Sequence, residues 1–230
     1  MTTEAEWPVG YRIGPPHSRP PEGMVDEFRH FPVPVVGDCL GRSVGTRGLR
    51  PFHAAYDEVL CGPALTVRVR PGDNLMLHKA MLIAEPGDVI VVDGGGDLTQ
   101  ALIGGLMRTT AVSRRLAGFV IDGAIRDVAE WAARGLPVFA AGNTHRGPSK
   151  VGPGEINVPI ACAGLAVSPG DLVLGDADGV IAVRPEQYNG LADKCRDQLA
   201  REDRIRRQNA SGKTDVERID SILRAQGLPV

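Results

Sequence analysis

Aromatic side chains are scarce, at 4% of 230 residues, and the net charge is −2. A single-stranded nucleic acid needs stacking platforms and a duplex needs a positive footprint, so nucleic acid is not an expected partner. No apolar run approaches the roughly 20 residues of a membrane span. The opening MTTEAEWPVG has neither a basic nor an apolar leader region, so a cytoplasmic protein with no membrane partner is expected. Cysteine is sparse: Cys39, Cys61, Cys162 and Cys195 are scattered, with no CxxC or Cys/His zinc spacing. Idle thiols in a reducing compartment are the expectation. No GxSxG elbow and no Walker lysine spacing occurs, which sets aside common hydrolase and nucleotide-phosphate chemistry. Glycine and proline are abundant instead, at 29 and 18 residues, and mark a chain with many tight turns.

Patterning sets an order of elements. Residues 1–32, with Pro15, Pro16, Pro20 and Pro21, read as an irregular arm. Gly37-Asp38 could start a short helix, and 45–58 reads as loop. Leu60 to Arg70 alternates as a strand, and Asn74 precedes a helix over Leu75 to Ala84. Val89 to Val92 is a short apolar strand, followed by a glycine run read as a tight loop. Leu102 to Leu116 has helical spacing, with Leu102, Leu106 and Met107 on one face. Phe119 to Ile121 and Pro137 to Ala141 read as strands around a short helix, Val128 to Arg134. A polar loop covers 142–157, and short β segments follow up to Val183. A long helix runs from Pro185 to about Gln208, and a final helix spans Asp215 to Ala225. The pattern is α/β at first, then β meander and helix, which suits layers of sheet, sheet and helix.

The stretch richest in chemistry is Gly104 to Glu130. Gly104 and Gly105 can open a helix whose free N–H groups attract a carboxylate. Arg126 can clamp a carboxylate through two parallel bonds, and Asp127 can hold a hard cation such as Mg²⁺. About one helix and one strand separate the two ends, so the chain can fold back and join them around a small keto acid. The plain alternative for Arg126-Asp127 is a structural ion pair or helix cap.

Other motifs carry less. The glycine run after Asp93 lacks a dinucleotide fingerprint, since Thr99 stands where a glycine is needed. Asp176-Ala177-Asp178-Gly179 fails as a calcium loop at Ile181 and Gln187 and reads as a hairpin turn. His78 and Lys79 lie on a helix, while His145, Arg146 and Lys150 lie in the polar loop; each either lines a site or faces solvent.

Ordered motifs over about 33–207 resemble a known family. They are Gly72-Asp73-Asn74-Leu75, Pro86-Gly87-Asp88-Val89, Val92-Asp93-Gly94-Gly95, Gly104-Gly105-Leu106-Met107, Ile121 to Asp127, and Pro169-Gly170-Asp171 through Asp178-Gly179. The chain resembles the 4-hydroxy-4-methyl-2-oxoglutarate aldolases and their relatives, which include the regulator of ribonuclease E activity A; older labels for such sequences mention demethylmenaquinone methyltransferase. The family signature of a glycine, a spacer and Arg-Asp-x-x-Glu is met by Gly105, Arg126, Asp127 and Glu130. The resemblance implies a swivelling β/β/α fold over 33–207, with an arm at 1–32 and a helical tail at 208–230. It implies a homotrimer or a hexamer of two trimers. It also implies a class II aldolase using Mg²⁺ or Mn²⁺ without an organic cofactor. By this resemblance Gly104, Gly105, Leu106 and Met107 offer N–H groups to the substrate carboxylate and Arg126 binds the keto acid. Asp127 is the direct metal ligand, and Glu202 or Asp203 of a neighbouring subunit reaches the metal waters. One departure is that the aldolases carry an acidic residue, thought to help hold a catalytic water, where this chain has Gly105; Asp97 or Glu155 could stand in.

The expected chemistry is stabilisation of a pyruvate enolate, formed by retro-aldol cleavage of a 4-hydroxy-2-keto diacid or by decarboxylation of oxaloacetate. The competing reading is a non-catalytic regulator that binds a ribonuclease. A methyltransferase lacks a convincing cofactor loop.

Overall fold

The computed structural model describes residues 7–21, 23–213 and 215–230. The expectation for the arm lies outside them at 1–6 and at 22. The strands are β1 (Tyr11–Ile13), β2 (Arg50–Pro51), β3 (Leu60–Val69), β4 (Val89–Ile103), β5 (Gly118–Ile125), β6 (Val138–Asn143), β7 (Gly154–Ile156), β8 (Ile160–Cys162), β9 (Leu165–Val167), β10 (Leu172–Asp176) and β11 (Gly179–Val183). The helices are α1 (Met24–Phe28), α2 (Val33–Cys39), α3 (Leu75–Ile83), α4 (Gly105–Ser113), α5 (Val128–Trp131), α6 (Tyr188–Ala210) and α7 (Val216–Ala225).

The main sheet runs β1-β7-β3-β4-β5-β6-β2, with β3 to β6 parallel. Parallel neighbours need crossovers, and α3, α4 and α5 supply them. The first half of β3 also pairs antiparallel with β10, which forms a hairpin with β11. Period-2 alternation then sorts side chains into layers. Leu65, Val67, Ile90, Val92, Phe119 and Ile121 face a core under α3 and α4. Ala64, Val89, Val91 and Val120 face the second sheet, where Val173 and Val180 meet them. Leu172, Leu174, Ile181 and Val183 point the other way, toward α1, α2 and α6. The result is the sheet-on-sheet, helix-covered α/β sandwich that the sequence implied, in one domain. No described helix is long and apolar enough to cross a membrane.

Several elements differ from the sequence reading. The described part of the arm pairs into the sheet through β1 and buries Phe28 and Phe31 against α6 and its neighbours. Helix α2 starts at Val33 rather than near Gly37, and the Asp176 carboxylate accepts from the Val33 N–H at 2.8 Å, at the helix N-terminus where a negative charge is favourable. The glycine run is not a tight loop: β4 continues through it to Ile103, paired to β5 with register shifts that mark bulges. Leu102 is therefore a buried strand residue, and Leu106 is 85% exposed while Met107 is buried, so the three do not share a helix face. The polar 142–157 loop contains β7 and ties back to Asp73. The Asp176 to Gly179 hairpin turn forms as expected.

Candidate functional site

The C-terminal ends of the parallel strands point to one edge of the sheet, where open α/β sheets bind ligands. Asn74 follows β3, Gly104 follows β4, Arg126 follows β5 and the 144–150 loop follows β6. The chain thus gathers residues far apart in sequence around a cavity of about 180 Å³ lined by Asn74, His78, Leu106, Met107, Arg126 and Lys150. A larger, open depression near Arg29, Asp57 and Arg115 lies elsewhere, and its Asp57 is already paired with Arg134.

Both ends of the Gly104 to Glu130 stretch meet as expected. Asp127 Oδ2 accepts from the Gly105 N–H at 2.8 Å and lies 3.7 Å from Arg126 Nε. Asp127 caps the N-terminus of α4 rather than its own helix, α5, and does so from a left-handed backbone (φ 58°, ψ 42°). Such a conformation is uncommon for a residue other than glycine and costs about 1–3 kcal/mol, so surrounding contacts must hold it. The Trp131 indole N–H donates to the Arg126 carbonyl at 3.0 Å, and its ring is fully buried against Phe119. Arg126 N–H donates to the Ile103 carbonyl at 3.0 Å, tying the end of β5 to the end of β4.

The two glycines are required for close approach. A Cβ on Gly104 would stand 2.5 Å from Asp127 Oδ2 and 3.0 Å from Arg126 Cγ and Nε. A Cβ on Gly105 would fall on the Glu130 carboxylate. Glu130 therefore occupies the space next to residue 105. Asp97 and Glu155, the stand-ins read from sequence, are engaged elsewhere: Asp97 accepts from Thr99, and Glu155 pairs with Arg68.

The four N–H groups assigned to a carboxylate divide. Gly105 N–H is used by Asp127, and Met107 N–H donates to the Gly104 carbonyl at 3.0 Å. Among the described residues, those of Gly104 and Leu106 have no protein acceptor, so they are the ones free for a ligand. Three further lining residues carry polarity. Asn74 donates through Nδ2 to the Leu102 carbonyl at 2.8 Å, while its buried Oδ1 has no partner. Burial, with the Lys150 charge adding to it, lowers the pKa of His78, so its imidazole is neutral at pH 7. Lys150 is held by its neighbour Val151, whose N–H reaches Asp73, and by Ser149, whose hydroxyl does the same at 2.6 Å. Asn74 carries no site signal in the sequence beyond its place after a strand, at the same sheet edge as Gly104. Lys79, His145 and Arg146 are exposed.

The metal expectation can be tested against the donor set. No group of three or more His, Cys, Asp or Glu converges among the described residues. Asp127 keeps Oδ1 clear of any hydrogen-bond donor among them, and the Glu130 carboxylate lies against the adjoining Gly105. One hard oxygen with a second carboxylate nearby fits a water-rich Mg²⁺ or Mn²⁺ and fits poorly a cation needing a full protein cage. Within one chain α6 packs on α1 and α2, in the layer away from α4, and Glu202 and Asp203 bond only to Gln198 and Arg206 of their own helix. The resemblance assigns them to a neighbouring subunit's site.

A family model described as RraA-like, Aldolase/RraA, matches residues 33–182. A protein of Halalkalibacterium halodurans named "Putative 4-hydroxy-4-methyl-2-oxoglutarate aldolase" is 42% identical over 178 residues, which are 77% of this chain and 84% of that one. Among solved structures, RraAS2 of Streptomyces coelicolor, titled an unusual member of the RNase ES inhibitor RraA protein family, superposes with a TM-score of 0.76. It is 26% identical, over 83% of this chain and 99% of that one. The RNA-processing inhibitor RraA from Thermus thermophilis aligns with a TM-score of 0.60 at 30% identity, over 67% and 92% of the two chains. The matched span holds β3 to β10, both glycines, Arg126 and Asp127, and on these grounds the chain belongs to the RraA-like, Aldolase/RraA family.

Proposed function

We propose that the protein is a divalent-metal-dependent carbon–carbon lyase. Its reaction is the retro-aldol cleavage of a 4-hydroxy-2-keto diacid, such as 4-hydroxy-4-methyl-2-oxoglutarate or 4-carboxy-4-hydroxy-2-oxoadipate, with decarboxylation of oxaloacetate as a companion activity. The observation that carries this reading is that Asp127 meets both Arg126 and the start of α4, while Arg126, Gly104 and Leu106 line one small cavity. The names of curated relatives support the aldolase assignment. The free N–H groups of Gly104 and Leu106 and the Arg126 guanidinium bind the keto-acid carboxylate and spread fixed positive charge toward the keto oxygen. Lys150 and His78, which line the same cavity, meet the distal carboxylate. Asp127 would hold a divalent cation, which would supply Lewis-acid stabilisation of the charge on the keto oxygen. Glu130 orients a water that removes the proton of the C4 hydroxyl, the part played in the aldolases by the acidic residue that Gly105 replaces. Decarboxylation reaches the same enolate without a hydroxyl base. The site is completed in a homotrimer or hexamer by Glu202 or Asp203 of the partner subunit.

The test is pyruvate release from a panel of keto diacids, with Mg²⁺ or Mn²⁺ and with chelator. Release that chelator and Arg126→Ala abolish supports the lyase. No release from any of them overturns it. The titles of the two RraA structures favour one second reading, a metal-indifferent ribonuclease regulator. Metal-independent binding to and inhibition of a ribonuclease, without pyruvate release, would select it.

A further inference from the structure

Two of the four cysteines are not isolated. Cys39 is the last residue of α2 and Cys195 lies inside α6, the helix on which α2 packs. The two thiols are neighbours across this helix contact, Cys39 packing on the core that holds Cys195 with Val35, Val36, Leu191 and Ala192. Cys39 is half-buried and opens on a cavity of about 360 Å³ lined also by Glu186, Gln187, Gly190 and Lys194, whereas Cys195 behind it is fully buried. An accessible thiol with a second, buried thiol as its neighbour is the arrangement of a redox-sensing pair.

We propose that Cys39 and Cys195 are a peroxide-responsive pair that forms an intramolecular disulfide joining α2 to α6. The Cys39 thiolate attacks one oxygen of a hydroperoxide. The O–O bond breaks, Cys39 becomes a sulfenic acid, and the leaving hydroxide takes a proton to form water. The Cys195 sulfur then attacks the Cys39 sulfur; the S–O bond breaks, and the departing hydroxyl leaves as water with the Cys195 proton. For hydrogen peroxide, two thiols and one peroxide become one disulfide and two waters, and a small dithiol reverses the change. The order of attack follows from access and charge. Burial, with Cys39 as neighbour, pushes the Cys195 pKa up to about 12, so Cys195 resolves rather than initiates. The remaining thiols make an internal control. Cys61 and Cys162 are buried and point at the backbone carbonyls of Val25 and Val92, and burial raises the pKa of both.

The experiment treats the intact reduced protein with a small excess of hydrogen peroxide, alkylates it under denaturing conditions, and maps peptides without reductant. The expected result is one peptide pair, Cys39 with Cys195, lighter by two hydrogens than the separate thiols, lost on adding dithiothreitol, with Cys61 and Cys162 fully alkylated. Cys39→Ser should abolish the pair and leave Cys195 alkylated. Recovery of Cys39 as a sulfinic acid beside an alkylated Cys195 would overturn the proposal. So would alkylation of both thiols after peroxide, or cross-links to Cys61, Cys162 or another chain.

Discussion

Replacing Gly104 with alanine adds one methyl group and tests the site with little else disturbed. The Gly104 backbone is extended (φ −154°, ψ −170°), so alanine adopts it without strain. The new Cβ would stand 2.5 Å from Asp127 Oδ2, and ordinary contact begins near 3.4 Å. The carboxylate must therefore withdraw by about 1 Å, which strains or breaks the 2.8 Å bond from Gly105 N–H and pushes on Arg126. A misplacement of about 1 Å at a reacting centre costs on the order of 100-fold in rate. The stability cost is smaller: a poorer helix N-cap and one weakened hydrogen bond together remove about 2 kcal/mol or less. At about 2–4 °C per kcal/mol for a chain of this size, the melting temperature falls by no more than about 8 °C. The assay is pyruvate release coupled to lactate dehydrogenase at 25 °C, where the variant stays folded. We expect kcat/KM to fall by about two orders of magnitude while the protein remains native. Activity within twofold of the parent, in a variant whose structure keeps Asp127 in place, would refute the reasoning.

Asp73→Ala should cost about 2–4 kcal/mol in urea denaturation, because the buried carboxylate accepts from Ser149 Oγ, Val151 N–H and Leu75 N–H and its loss leaves buried donors unpaired. Burial pushes the Asp73 pKa up, but these bonds outweigh it and the net shift is below 3.8; its stabilisation is present above that pH and lost as pH falls through the folded value. His53 is held neutral, its pKa below 6.5, mainly by burial and against the opposing influence of the Val138 backbone and Glu58. Only the unfolded chain gains this proton just below pH 6.5, so stability should drop from about pH 7 to about pH 5.5 in the parent and less in His53→Phe, read as urea midpoints. Trp131→Phe removes the 3.0 Å bond to the Arg126 carbonyl and should cost about 1 kcal/mol, with a several-fold higher KM for the keto acid at little change in kcat if the ring only positions Arg126.

Much of this site was legible in the chain because its parts are local. Two glycines followed by a helix, and Arg-Asp at the end of an apolar strand, can each be picked out without knowledge of the rest. Errors came where a long-range partner overrode a local preference. The glycines after Asp93 look like a turn in isolation, but β5 pairs alongside and holds β4 extended to Ile103. Leu102 and Leu106 fit one helical stripe until that extension makes Leu102 a strand residue. The prolines of the arm suggest irregularity, yet Phe28 gains enough from burial beneath α6 to order the segment around it. Cys39 and Cys195 are distant in sequence, and no spacing rule could join them.

The sequence alone determined the layered α/β class, the order of its main elements and the residue types gathered at the candidate site, since periodicity, turn chemistry and charge act over a few neighbouring residues. Only the tertiary structure decided that Glu130 fills the space beside Gly105, that Asp127 caps α4, and that Asn74, His78 and Lys150 share the cavity. Those facts depend on which strand ends lie side by side at the sheet's edge, and that is settled by cooperative packing across the whole chain rather than by any one stretch of it.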